Sequence, residues 1–164
     1  MSEHQSHTHG HDGDLAVFLI GLRVNRPWRP DLWMPTFAAM GPMITELYTA
    51  KAAAERGEGP HPGFLSHRTL VALGGPTLVQ YWRSVEDIYA YAHAPERHHR
   101  PAWLDFYRRS KGSGGAVGIW HETYAVPAGS AESLYVDMPL IGLAAAFGPV
   151  EASGRQHARI RRAA

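Results

Sequence analysis

The chain contains no cysteine. Disulfides, thiolate zinc sites, iron–sulfur clusters and cysteine nucleophiles are excluded together, and the lack of cross-links fits a reducing, cytoplasmic setting. A charge bias is missing too: 16 Lys and Arg stand against 15 Asp and Glu, for a formal net charge of +1. No global field draws nucleic acid or anionic lipid, so neither is expected as a partner. Long apolar runs are also absent. LAVFLIGL from residue 15 falls far short of the roughly 20 residues that cross a bilayer. The first residues, MSEHQSHTHGHDGD, lack the basic start and apolar stretch of a secretory signal. Phosphate cradles are missing as well, because GGP and GSGG have neither the spacing nor the following helix of a P-loop.

What is present supports one domain: 164 residues, of which 45% are apolar. Residues 1–13, with His4, His7, His9 and His11, read as a disordered His-rich leader, and such spacing also offers weak divalent-metal binding. Residues 14–130 carry regular patterning. Residues 131–164 form an extension whose MPLIGLAAAF is too apolar to float free. It is expected to pack on the body or on a partner chain, ahead of a solvated basic tail, GRQHARIRR.

Within the patterned region, LAVFLIGLRV reads as a buried strand. Leu32, Phe37, Ile44, Leu47 and Tyr48 recur at near-helical spacing, predicting a helix from about 30 to 56, with a kink or break at Gly41–Pro42. GFLSHRTLVAL and TLVQYWRS flank the GGP turn as a hairpin. Ser84 is placed to cap the helix VEDIYAYA. Pro95 and Pro101 interrupt the chain around His98 and His99, AWLDFYRR adds a helical turn or two, and KGSGG reads as a flexible loop. AVGIWHETYAV is the last strong strand.

The order is β-α-β-β-α-β plus a C-terminal extension. This is the ferredoxin-like, split βαβ arrangement of the α+β class, an antiparallel sheet with helices on one face. In the last strand Ile119, His121 and Thr123 point one way and Trp120, Glu122 and Tyr124 the other, and neither set is a plain solvent face. A second copy over the open face would resolve this, so a homodimer forming a barrel from two sheets is expected.

Three stretches carry a family resemblance: VFLIGLRVN, LVQYWRSVEDIYAYA with the later HHRPAW, and GAVGIWHETY followed by MPLIGL. Together, over roughly residues 14–155, they resemble the monooxygenase-like family typified by a fungal fumagillin-pathway enzyme, within the dimeric α+β barrel superfamily of antibiotic-biosynthesis monooxygenases. The resemblance implies an oxygenase-type enzyme acting on a hydrophobic small molecule in a barrel pocket. Two chemistries follow from it: cofactor-free oxygenation, or haem held by an axial histidine, as in haem-degrading monooxygenases and, more distantly, aldoxime dehydratases. A non-catalytic haem- or small-ligand-binding, stress-response barrel is the alternative.

Carried over residue by residue, the resemblance puts Asn25 near the family's strand-end Asn and Tyr91 where haem degraders have Trp, a change that argues against haem self-degradation. Trp82 matches a structural Trp before the helix. The axial iron ligand falls at His99 or His98, with His99 favoured. Arg23 on an apolar strand needs a carboxylate: Glu122, Asp87 or a haem propionate. His121 is a candidate proton shuttle or base, and Glu122 a candidate base or substrate-orienting group. Each has a plainer reading: a satisfied core histidine for His121, an exposed corner for His98 and His99, core packing for Trp82 and Trp120. His93 fits a helix C-terminal imidazole bonded to the last carbonyls. His67 has no assigned role.

Overall fold

In the computed structural model, residues 6–94 and 99–152 are described, the side chains of residues 99, 102, 103 and 110 excepted. The elements in chain order are β1 (Ser6–His9), β2 (Leu15–Val24), α1 (Pro30–Glu55), β3 (Phe64–Ala72), β4 (Gly75–Trp82), α2 (Val85–His93), α3 (His99–Ser113), β5 (Val117–Val126), β6 (Tyr135–Val136), α4 (Gly142–Phe147) and β7 (Pro149–Glu151).

The apolar strands assemble a four-stranded sheet in the order β3-β4-β2-β5, every neighbouring pair antiparallel. With α1 joining β2 to β3, and α2 and α3 joining β4 to β5, this is the ferredoxin-like topology of the α+β class. Alternation along β2 divides the sheet. Ala16 and Phe18 pack with Leu47, Phe64, Trp82 and Ile88 beneath the helices, whereas Val17 and Leu19 pack with Leu65, Val79 and Tyr81 on the opposite face.

α1 runs unbroken through Pro35 and Pro42, so the expected break at Gly41–Pro42 does not occur. Pro42 lacks the N–H that would bond the Ala38 carbonyl, a local loss that does not end the helix. Packing of Ile44 and Leu47 against the sheet holds this stretch in place. Pro30 opens the helix where a missing N–H costs nothing, and Asp31 sits favourably in the first turn. Ser84 caps α2 as expected, its Oγ accepting the Asp87 N–H at 3.1 Å. α3 is longer than the sequence suggests: it reaches Ser113 and absorbs the start of KGSGG. Pro101 lies in its first turn, where the backbone N–H has no helical partner to lose.

The two ends of the chain differ from expectation. Residues 6–9 of the supposed disordered leader form β1, the central strand of a second sheet ordered β6-β1-β7. Backbone pairing with two C-terminal strands supplies the partners a free leader would lack. The histidines add side-chain anchors: His7 stacks on Tyr135 at 5.1 Å, His9 Nδ1 lies 2.7 Å from Ser133 Oγ, and His11 stacks on Phe147 at 3.9 Å. Among the described residues no group of three His, Asp or Glu is placed to hold a metal. The apolar C-terminal segment packs through Leu143, Ala146 and Phe147 of α4 onto the face of Leu65, Val79 and Tyr81. The sheet face expected to lie bare is therefore partly covered by the chain itself. No helix among the described residues is long and apolar enough to cross a membrane.

Candidate active site

Between α1 and the helix-facing side of the sheet lies a row of three adjoining apolar cavities, and Met40 lines all of them. At the β5 end, Ile20, Leu22 and Ile119 face Pro35, Met43 and Phe106. The middle chamber is enclosed by Phe18, Ile44, Leu78, Gln80, Trp82 and Tyr91. At the β3 end an open cleft of about 430 Å³ is lined by Phe37, Met40, Ile44, Pro76 and Leu78, with Thr45, Thr69 and His67 as its polar members. An apolar concavity with few polar groups is the usual form of a small-molecule site.

Of the residues singled out in the sequence, Tyr91 and Trp82 meet in the middle chamber, their rings 5.9 Å apart. Tyr91 Oη donates to Glu46 Oε2 at 3.1 Å, a phenol–carboxylate pair on the α1 side. Trp82 is 1% exposed and donates through Nε1 to Gln80 Oε1 at 3.0 Å. It forms part of the core as well as the chamber wall, which matches its plainer reading.

The remaining candidates do not converge there. His121 points to the helix side opposite Ile20, but it is exposed, packs its ring 5.7 Å from Phe18, and is absent from the cavity walls. Glu122 lies on the other face of β5, where Tyr124 Oη donates to its Oε2 at 2.6 Å, and that bond raises the Tyr124 pKa. Arg23 shares that outer face and is exposed, so the expected carboxylate partners are both elsewhere: Asp87 pairs with Arg83, Glu122 with Tyr124. Arg23 Nε instead donates to Asn25 Oδ1 at 3.0 Å, while Asn25 Nδ2 donates to the Gly115 carbonyl at 2.9 Å. Both polar atoms of Asn25 are thus engaged, Oδ1 by Arg23 of β2 and Nδ2 by the loop before β5. His93 Nδ1 donates to the Tyr89 carbonyl at 2.8 Å, as a helix-end imidazole should.

His98 lies outside the described residues, as does the side chain of His99. Among the described residues the fit to haem is poor. No Arg or Lys lines any of the three cavities to meet propionates, Arg23 stands on the wrong side of the sheet, and the two chambers beside the open cleft hold about 60 Å³ each.

The polar feature that sequence reasoning missed is His67. It faces the cleft with its Nδ1 3.0 Å from Tyr48 Oη, and burial lowers its pKa below the usual histidine value. Alternation from Phe64, which is core, would put His67 on the outer face; the bulge before Ser66 resets the register, so that His67 pairs with Gln80 on the helix side. A bulge leaves no mark in periodicity.

Residues 15–143 match the family described as Monooxygenase af470-like. Monooxygenase af470 of Aspergillus fumigatus is 28% identical over 138 residues, covering 79% of this chain and 46% of that protein. The chain therefore spans about half the length of that curated relative. Among solved structures, Rv0793 of Mycobacterium tuberculosis is 15% identical at TM-score 0.41, covering 79% of this chain and 98% of that one. The cofactor-independent oxygenase SnoaB of Streptomyces nogalater is 15% identical at TM-score 0.35, covering 68% and 92%. A dimeric, ferredoxin-like protein of Bacteroides fragilis is 12% identical at TM-score 0.38, covering 70% and 97%. Superpositions this loose add nothing to what the strand order shows. The match over most of the strand and helix framework decides the matter, and the chain belongs to the monooxygenase af470-like family.

Proposed function

We propose that the chain is an oxygenase-type enzyme that holds a hydrophobic small molecule between α1 and the sheet and works as a homodimer. The observation that carries this reading is the row of three apolar cavities under α1, all lined by Met40, in a chain of a monooxygenase family. The cofactor-free version needs little from the protein. An acidic C–H of the substrate ionises, its proton leaving to water, and the carbanion gives electrons to oxygen. The resulting hydroperoxide loses water, so that CH₂ plus O₂ becomes C=O plus H₂O with the substrate as the only reductant. The protein's part is to bind and orient the substrate.

Oxygen uptake with a panel of phenolic polyketides, combined with ¹⁸O₂ labelling, tests this reading. Uptake should match product formation, label should enter the product, and Met40→Trp should abolish both by filling the shared middle while the circular dichroism stays unchanged. A wild-type protein that binds the panel without consuming oxygen would leave a binding barrel in place of an enzyme. One that neither binds nor turns over any member would remove the cavity from consideration.

A further inference from the structure

The oxygenase reading leaves one polar pair unused at the β3 end of the cavity. Tyr48 of α1 stands over His67 of β3, its Oη 3.0 Å from Nδ1. The same phenol oxygen accepts the backbone N–H of His67 at 3.3 Å. If the phenol hydrogen goes to Nδ1, that nitrogen is bare and Nε2 carries the ring hydrogen. Burial disfavours the charged ring, so the imidazole stays neutral in this tautomer at pH 7.

The ring is also held in place. Tyr48 meets it edge-on at 5.5 Å and Phe64 packs beside it at 6.4 Å. Among the described residues Nε2 has no hydrogen-bond partner, yet it is not sealed away from solvent space. The cleft that His67 lines carries no ionised side chain, only apolar groups and two threonines. A ring donor among such a lining would suit an apolar molecule with an acceptor oxygen.

We propose that Tyr48 and His67 form an oxygen-binding site for the ligand, in which His67 Nε2–H donates to a carbonyl or enolate oxygen and Tyr48 fixes the tautomer. The site rests on the reading of the cavity as a small-molecule site. His67 touches the ligand, and Tyr48 is a positioning residue. A neutral, preorganised donor stabilises negative charge developing on that oxygen, and so favours the enolate over the ketone.

The probes are 1-tetralone and tetralin, one bicycle with and without a carbonyl, titrated into the full chain and followed by NMR. Tetralin alone reports on the cavity, and the difference between the two reports on His67. The preference for the ketone should fall about threefold to tenfold in His67→Phe, the size of one net hydrogen bond. His67→Gln, which keeps a donor, should retain part of it. Tyr48→Phe should weaken it while leaving tetralin affinity unchanged, which also serves if His67→Phe fails to fold. Ring ¹⁵N shifts at pH 7 should show a bare Nδ1 and a protonated Nε2 in the wild type, with a mixed tautomer in Tyr48→Phe. Equal ketone preference in all four proteins, or the opposite tautomer, overturns the proposal while the cavity stands. Binding of neither probe to the wild type overturns the cavity reading, and the pair falls with it.

Discussion

Gly142 shows how much a single residue holds at the junction between the sheet and the C-terminal segment. Its φ of +60° lies in the left-handed region, and an added Cβ would meet Tyr135 Oη at 2.7 Å and Tyr81 Oη at 3.3 Å. The backbone on either side is already engaged: Ser66 Oγ donates to the Gly142 carbonyl at 3.3 Å, and the Leu143 N–H donates to Tyr135 Oη at 3.1 Å. Tyr81 is buried at this spot, which raises its pKa. Gly142→Ala therefore combines backbone strain with displacement of two phenols. We expect it to lower unfolding stability by about 1–3 kcal/mol in denaturant titrations. A change below about 0.5 kcal/mol, the level of an ordinary surface substitution, would mean that α4 is not held at this point.

At the scale of elements, β1 holds a histidine whose protonation is coupled to folding. His9 is 8% exposed, and burial is the main cause of its lowered pKa, with nearby His11 acting in the same direction. Asp12 and a backbone hydrogen bond oppose the shift without reversing it. A histidine depressed below 6.5 in the folded state is neutral in both states well above that value, where its contribution is complete. As pH falls through the unfolded value toward the folded one, the unfolded chain takes the proton first and stability is lost. Amide exchange at Thr8 and His9, corrected for intrinsic rates, should accelerate between pH 7.5 and 5.5. His9→Asn, which keeps a hydrogen-bonding atom near Ser133, should flatten that dependence. An unchanged pH profile in the variant would show that His9 is not the responsible group.

β1 also marks where the sequence stops being informative. The core strands were legible because each buries an apolar set, as Ala16 and Phe18 do under the helices. α2 was legible because Ser84 and its acidic first turn announce a cap. β1 has no such signature: SHTH is polar, and only pairing with residues about 130–145 positions later gives it a place. α1 outlasted two prolines because packing, which periodicity does not report, outweighed two lost hydrogen bonds. The candidate site was legible only in part. Tyr91 and Trp82 follow from a strand-to-helix pattern, whereas His67 depended on a bulge and on Tyr48 from a different element.

For the whole molecule, the C-terminal segment covers only part of the outer sheet face. α4 sits over β3 and β4, and the β5 side remains open, with Trp120 38% and Tyr124 51% exposed. Trp120 lies across Gly21 of the neighbouring strand, where an added Cβ would fall within the indole ring. The missing side chain at Gly21 thus lets the indole lie flat against the sheet and present a broad apolar surface. Two aromatic rings beside Leu19 are the kind of anchor that concentrates binding energy at an interface. A second copy related by a two-fold axis would bring the same patch against itself, and the Tyr124–Glu122 pair would lie at or near that contact. Sedimentation at micromolar concentration should accordingly give twice the 18.1 kDa chain mass. Trp120→Glu should return it to a single chain, because a carboxylate would be buried against its own copy without a partner. The same variant should still bind tetralin, since the cavity lies on the other side of the sheet. A wild type that sediments as one chain at these concentrations would leave the aromatic face without a second copy, and a dimer indifferent to Trp120→Glu would move the interface to another surface.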